Sequence, residues 1–209
     1  MLIKFDKINE ILLENNITIK GALHIGAHEC EELSFYHQLN LKNEDIVWID
    51  ALIHKVIEAQ NRNIPNVYNA VITNEDDKQI IFNVSNNFQS SSVLEFGTHK
   101  SSYPHIKYLS KYVCETITID TFVKRNNIDI TKLNFWNFDI QGAELMALKG
   151  ATDSIKHAQA IYLEVNDREV YQKGALMTEI DEFLETYNFK RVLTEFTSEG
   201  WGDALYIKC

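Results

Sequence analysis

Residues 21–30 read Gly-Ala-Leu-His-Ile-Gly-Ala-His-Glu-Cys. An apolar run over Lys20–Ile25 stops at Gly26 and gives way to polar residues. Such a run is the mark of a strand buried on both faces. Gly26 lets the chain turn sharply toward a helix over Glu29–Leu39 and lets backbone come close to a ligand, with the following amides facing an anionic group. A plain strand-to-helix turn accounts for the same residues equally well.

The same alternation continues on both sides. Upstream, Phe5–Asn15 carries Phe5, Ile8, Ile11 and Leu12 at helical spacing. Downstream, strands are expected at Ile46–Ile49, Asn66–Ile72, Glu115–Ile119, Leu133–Phe138, Ala160–Val165, Phe189–Leu193 and Ala204–Ile207, with a hairpin arm at Gln79–Val84. Helices are expected at Leu52–Asn61, at Ala143–Gly150, where a glycine stands at the C′ position, and at Thr178–Tyr187. Strands alternating with helices give an α/β, doubly wound, mainly parallel Rossmann-like sheet with right-handed crossovers. The last strand is expected to run antiparallel. Ligands of such sheets sit beyond the carboxyl ends of the strands. The polar residues after each strand therefore draw attention: Gly26–Glu29, Asp50, Asp139–Glu144 and Glu164–Asp167.

The chain has 209 residues, 45% of them hydrophobic and 24% charged. A chain of this length buries about 70% of its extended surface, enough for a core without metals or disulfides. It reads as one domain over residues 1–209, with a lid or insertion around residues 86–112. Only Pro65 and Pro104 occur, and no linker or repeat is visible. The net charge of −10 argues against a nucleic-acid partner and against docking on anionic lipid. The three cysteines, Cys30, Cys114 and Cys209, form no CxxC pair, so a reducing, cytoplasmic setting is the expectation. No apolar run is long enough for a membrane span, and residues 1–6 do not read as a signal peptide. Monomer and homodimer are both compatible with the sequence, as is one domain of a larger glycan-modifying protein.

Four further constellations carry chemistry. Asp50 closes Ile46–Ile49 and could accept both hydroxyls of a ribose, 24 residues after Gly26. It could equally cap the following helix. Asp139-Ile-Gln141-Gly142-Ala-Glu144 ends a buried strand in an acid, turns at glycine and re-enters a helix. Helix electrostatics explain Glu144 but do not require the rest. Glu164 lies inside an apolar strand, where a carboxylate is costly unless paired or functional. Asn86–Ser92 clusters amides and hydroxyls, as in a solvated loop or a lid. Asp139, Glu164, Asn166 and Asp167 are hard oxygen ligands suited to a divalent ion, which would be compatible with the site but not required by it. A dinucleotide dehydrogenase would want G-x-G-x-x-G, and only Gly26 is present after the first strand.

Together, HIGAHECEE (24–32), IVWID (46–50), NNFQSSSVLEF (86–96), ITIDTF (117–122), FWNFDIQGAELMALKGA (135–151) and IYLEVN (161–166) resemble the FkbM-type S-adenosylmethionine-dependent methyltransferases. The resemblance runs from about Lys20 to Lys208. It implies a class I methyltransferase sheet and methylation of a hydroxyl oxygen on a sugar, glycan or related small molecule. It implies that Gly26 and its neighbours His24, Ala27, His28 and Glu29 hold the methionine part of the cofactor. Asp50 and Ala51 would then hold the ribose, Ser91 would lie near the mouth, and Asp139 and Gln141 would lie beside the sulfonium. Glu164 would line the acceptor side. The acceptor proton needs a base, for which Asp139, Glu164 and His28 are the candidates, ahead of His99 and His105. Tyr103, His105, Tyr108, Tyr171 and Trp201 offer aromatic surfaces of the kind that stack on sugars, whereas Trp136 reads as core. The chain departs from the family at His24, usually an acid, at His28, usually Asn, and at Cys30, usually Gly. A catalytically inactive ligand-binding domain of the same fold is the alternative those departures support.

Overall fold

The computed structural model describes residues 2–209. Helix α1 (Phe5–Glu14) leads into β1 (Ala22–Ile25), and α2 (Leu33–Gln38) follows. Next come β2 (Ile46–Asp50), α3 (Ile53–Asn61), β3 (Val67–Asn69), β4 (Val71–Ile72) and β5 (Gln79–Ser85). The short α4 (His99–Ser102) precedes β6 (Tyr108–Ile117) and α5 (Ile119–Arg125). The chain then alternates through β7 (Phe135–Phe138), α6 (Glu144–Lys149), β8 (Ala160–Asn166) and α7 (Met177–Glu185), and ends with β9 (Phe189–Phe196) and β10 (Trp201–Lys208).

Seven strands form the main sheet in the order β3-β2-β1-β7-β8-β10-β9. The strands β3, β2, β1, β7 and β8 pair in parallel, and β10 runs antiparallel to both β8 and β9. This is the α/β, mostly parallel sheet with an antiparallel final strand that the alternation predicts. The order reverses between β1 and β7, which makes the gap above their carboxyl ends the natural ligand position.

Burial explains the short strands. All four residues of β1 and of β7, and all five of β2, are buried. Helices therefore cover both faces. On one face Leu23, Ile25, Ile49, Phe138 and Leu163 pack against Phe122 of α5, Leu148 of α6 and Ile180 and Leu184 of α7. On the other, Trp48, Phe135 and Tyr162 pack against Ile8 and Leu12 of α1, Tyr36 of α2 and Val56 of α3. Each large apolar side chain buried in this way contributes about 1.5–3 kcal/mol.

Several boundaries differ from the sequence reading. The helix expected from Glu29 starts only at Leu33, because His28 and Cys30 have φ of 40° and 55° and break the helical path. The strand expected over Asn66–Ile72 splits at Ala70. Its first half pairs with β2 and its second with β6. The strand expected over Glu115–Ile119 is the end of the ten-residue β6, and Ile119 instead opens α5. The Thr118 side chain accepts a hydrogen bond from the Thr121 amide and so caps that helix. Strands β4, β6 and β5 form a separate three-stranded sheet. Residues 86–107 connect β5 to β6 outside any strand. Among the described residues no helix is long and apolar enough to cross a membrane.

Candidate active site

Register brings the strand-end residues into one row. Ile25 pairs with Ile49 on one side and with Phe138 on the other, and Phe138 pairs with Leu163. One residue further along each strand stand Asp50, Gly26, Asp139 and Glu164, and Glu164 pairs with Asp203 of β10. Five adjacent strands thus carry four carboxylates and a glycine along a single line at the carboxyl edge.

Gly26 is required there by contact as well as by conformation. Its φ is +93°, and a Cβ would lie 1.9 Å from the Asp139 carbonyl oxygen. The close approach it permits is to the β7 turn, and Gly26 also lines the cavity described below. Gly142 does the same for the next layer: its φ is +91° and a Cβ would meet the Tyr171 side chain at 2.9 Å.

A cavity of about 550 Å³ opens in front of the row. It has the size of a small-molecule site. Among the residues expected to form a site, Gly26, His28, Asp50, Ala51, Ser91, Asp139, Gln141 and Glu164 line it. Three expected cofactor contacts do not. His24 points to the opposite face of β1, where Nδ1 lies 2.9 Å from the Tyr36 hydroxyl and the ring packs on Trp48. Burial holds its pKa down at about 3, so it is a neutral core histidine. Ala27 is packed in the same core, and Glu29 is tied to Lys55 at 2.8 Å outside the cavity. The oxygen ligands expected for a divalent ion do not converge either, because Asn166 is buried and does not line the cavity. Among the described residues no group of three or more His, Cys, Asp or Glu side chains is arranged to hold a metal.

Asp50 joins two turns. Its Oδ2 accepts from the His28 amide and its Oδ1 from the Leu52 amide, both at 2.7 Å. It is therefore not the N-cap of α3, whose N-cap is Leu52, and each oxygen keeps a lone pair for a further donor. Burial raises its pKa despite these bonds. His28 Nδ1 lies 2.8 Å from Glu31. Burial works against both charges, but their attraction outweighs it: the histidine moves up and Glu31 comes down to about 2.

Gln141 is the hub of the site. Its backbone is left-handed, with φ 60°. Its amide nitrogen donates to Asp139 Oδ1 at 2.5 Å and to Glu164 Oε2 at 2.9 Å. Its side-chain oxygen Oε1 accepts from the Tyr171 hydroxyl. Asp139 is open to the cavity but ringed by protein. Burial and the nearby Asp203 raise its pKa to about 6. Burial, then Asp139 and Glu144, push Glu164 well above the usual carboxylate range. Glu144 accepts from the Ile140 and Gly142 amides, which makes it the cap of the β7–α6 turn; burial moves it up to about 7.

The far wall comes from residues 87–106 and from the segment after β8. Ser92 Oγ donates to the Gln141 carbonyl at 2.8 Å, and Ser91 Oγ accepts from the Ser85 amide, so the serine loop is tied down by its own hydroxyls. Sequence reasoning missed Asp203, Glu31 and Glu32, which also line the cavity. Asp203 carries the signal that singled out Glu164, a carboxylate inside an apolar strand, but the strand was expected to begin one residue after it.

A model of the FkbM methyltransferase domain matches residues 24–191. No curated protein matches the chain. Two solved structures are similar at 11% identity. One is magnesium protoporphyrin IX methyltransferase from Synechocystis PCC 6803 with bound S-adenosylmethionine, covering 98% of this chain and 78% of that one with a TM-score of 0.42. The other is a SAM-dependent methyltransferase from Aquifex aeolicus, covering 99% and 100% with a TM-score of 0.41.

Proposed function

The chain belongs to the FkbM methyltransferase domain family, and from that premise we propose that it methylates a hydroxyl oxygen of a sugar or related small molecule. S-adenosylmethionine-dependent methyl transfer is the activity of the family; the oxygen and the sugar are our reading. The observation that carries it is the charge of the cavity. Glu31, Glu32, Asp50, Asp139, Glu164 and Asp203 line it, and among the described residues no lysine or arginine does. Such a site suits a cofactor with a sulfonium and an ammonium group.

The residues present fit that cofactor. The spare lone pairs of Asp50 suit the ribose diol. Leu52, Val71, Phe82 and Phe88 supply an apolar wall beside it that suits a purine. The backbone at Gly26 and His28, with Glu31 and Glu32, faces the part of the cavity between Asp50 and Asp139 and suits the methionine end. S-adenosylmethionine supplies an electrophilic methyl carbon. The protein must then orient an oxygen and remove its proton. Asp139 is the base in this reading. Gln141 engages its Oδ1, and Oδ2 has no hydrogen-bond partner among the described residues. A pKa near 6 leaves it ionised at neutral pH yet more basic than an ordinary aspartate. Glu164, kept protonated, can donate a hydrogen bond to the acceptor.

Calorimetric titration with S-adenosylhomocysteine, with and without Mg²⁺, tests this reading. Micromolar binding is expected without the ion. Asp50→Ala should weaken it about tenfold or more, the cost of a lost charge-assisted hydrogen bond. An absence of binding in both conditions refutes the cofactor assignment. An unchanged dissociation constant for Asp50→Ala limits Asp50 to joining the two turns.

A further inference from the structure

Beside the carboxylate row the cavity is lined by aromatic side chains. Tyr108, Phe96 and His99 form a stack with centroid separations of 4.2 and 4.3 Å. His99 then meets Tyr103 at 5.0 Å and Tyr171 at 5.5 Å, and Trp201 Nε1 donates to the Tyr103 hydroxyl at 2.9 Å. Of these, His99, Tyr103, Tyr171 and Trp201 line the cavity, while Phe96 and Tyr108 back them. The wall is built in advance. The amides of Gly97 and His99 donate to the Val170 carbonyl, and that of Thr98 to Glu169. An acceptor would therefore spend little of its binding energy on ordering it.

We propose that His99, Tyr103, Tyr171 and Trp201 form the acceptor subsite and that it takes a sugar ring bearing no anionic group, neutral or amino-substituted. The inference rests on the methyltransferase reading and adds to it where the acceptor lies and which sugars are refused. Two independent observations carry it. The first is charge. Asp139 and Asp203 line the same cavity, and among the described residues no lysine or arginine lines it to balance a carboxylate or phosphate. A like charge placed there meets no lysine or arginine among the described residues, and such juxtapositions are strongly disfavoured. Sugar hydroxyls, in contrast, are donors to carboxylates, and an ammonium group gains both from them and from aromatic faces.

The second is an unsatisfied atom. His99 is 5% exposed, and its Nδ1 has no hydrogen-bond partner among the described residues. Buried polar atoms without partners are rare in native structures and call for one. Burial, and then His105, hold the ring down to about 4, so it is neutral at pH 7 and one ring nitrogen is an acceptor. Nδ1 is itself closed to the cavity; Nε2, which has no hydrogen-bond partner among the described residues, is the ring nitrogen that a hydroxyl or ammonium arriving there would meet. Trp201 and Tyr103 offer ring faces for the C–H side of the same sugar.

The test uses the whole chain saturated with S-adenosylhomocysteine and three probes: methyl glucoside, methyl 2-amino-2-deoxyglucoside and methyl glucuronide. Calorimetry should show the first two binding about a hundredfold more tightly than the glucuronide. Trp201→Ala should weaken the neutral probe at least about tenfold, and Trp201→Phe, which keeps an aromatic face, much less. Neither should change S-adenosylhomocysteine affinity more than about twofold. Equal binding of the glucuronide overturns the proposal. So does unchanged sugar affinity in Trp201→Ala, or failure of all three probes to bind. If S-adenosylhomocysteine itself does not bind, the methyltransferase reading fails, and the same three titrations on the free protein still decide the subsite.

Discussion

A single amide nitrogen, that of Gln141, holds two carboxyl groups that would otherwise repel each other. Its bonds favour the ionised form of both, against burial and neighbouring carboxylates, which raise both pKa values. Asp139→Asn should lower turnover by about a hundredfold or more, the usual contribution of a positioned base. Wild-type turnover should fall as pH drops through about 6, where Asp139 becomes protonated. The same residue predicts a stability effect of opposite sense. Its pKa rises from 3.8 to about 6 on folding, so the folded state holds the proton more tightly. Its favourable contribution is complete below 3.8 and is lost as pH rises to 6. The thermal midpoint of Asp139→Asn should therefore gain on wild type between pH 4 and 6 and keep that lead above. A midpoint difference that does not change with pH would show that Asp139 ionises as in the unfolded chain. Asp139, Glu164 and Asp50 were legible as site residues because each is an acid at the end of, or inside, an apolar strand. His24 has the same sequence setting but faces the other side of the sheet. One step of strand alternation separates a core residue from a cavity residue, and the sequence alone does not fix that step.

The turns after β1 and β7 interlock as elements, and Gly26 is where they touch. Gly26→Ala would force a side chain into the Asp139 carbonyl at a φ of +93°. We expect a loss of ~3 kcal/mol or more, read as a lowered thermal or urea midpoint; a variant with wild-type stability would mean that the turns separate freely. The loop that follows explains two departures from the family. Residues 28 and 30 are left-handed, a conformation natural to Asn and Gly, and this chain fills them with His and Cys. The main strands could be read from sequence because they are buried on both faces and end abruptly in polar residues. The lid could not. Strand β6 is largely exposed and shows no alternation of apolar and polar residues over Leu109–Val113. The break at Ala70 is invisible because Val67–Ile72 has no Gly or Pro, and the change of partner from β2 to β6 is decided by tertiary packing.

Across the molecule, several hydrogen bonds join the small sheet of β4, β6 and β5 and the loop it carries to the main sheet. Ser92 reaches the Gln141 carbonyl, residues 97–99 bond to residues 169–170, and the Tyr112 hydroxyl donates to the Ala51 carbonyl at 3.1 Å. Two of these joints lie beside residues that the proposed cofactor would touch, Ala51 and Gln141. A ligand that leaves past these fastenings would need at least one of them to open. The speed of the catalytic cycle would then report the undoing of hydrogen bonds and not the chemistry at the methyl carbon. Tyr112→Phe removes one fastening without altering any residue assigned to the reaction. It should raise the steady-state rate and leave the rate of a single enzyme-bound turnover unchanged, with a first-turnover burst that shrinks. Equal steady-state rates for the two proteins would mean that this joint holds the lid but sets no clock.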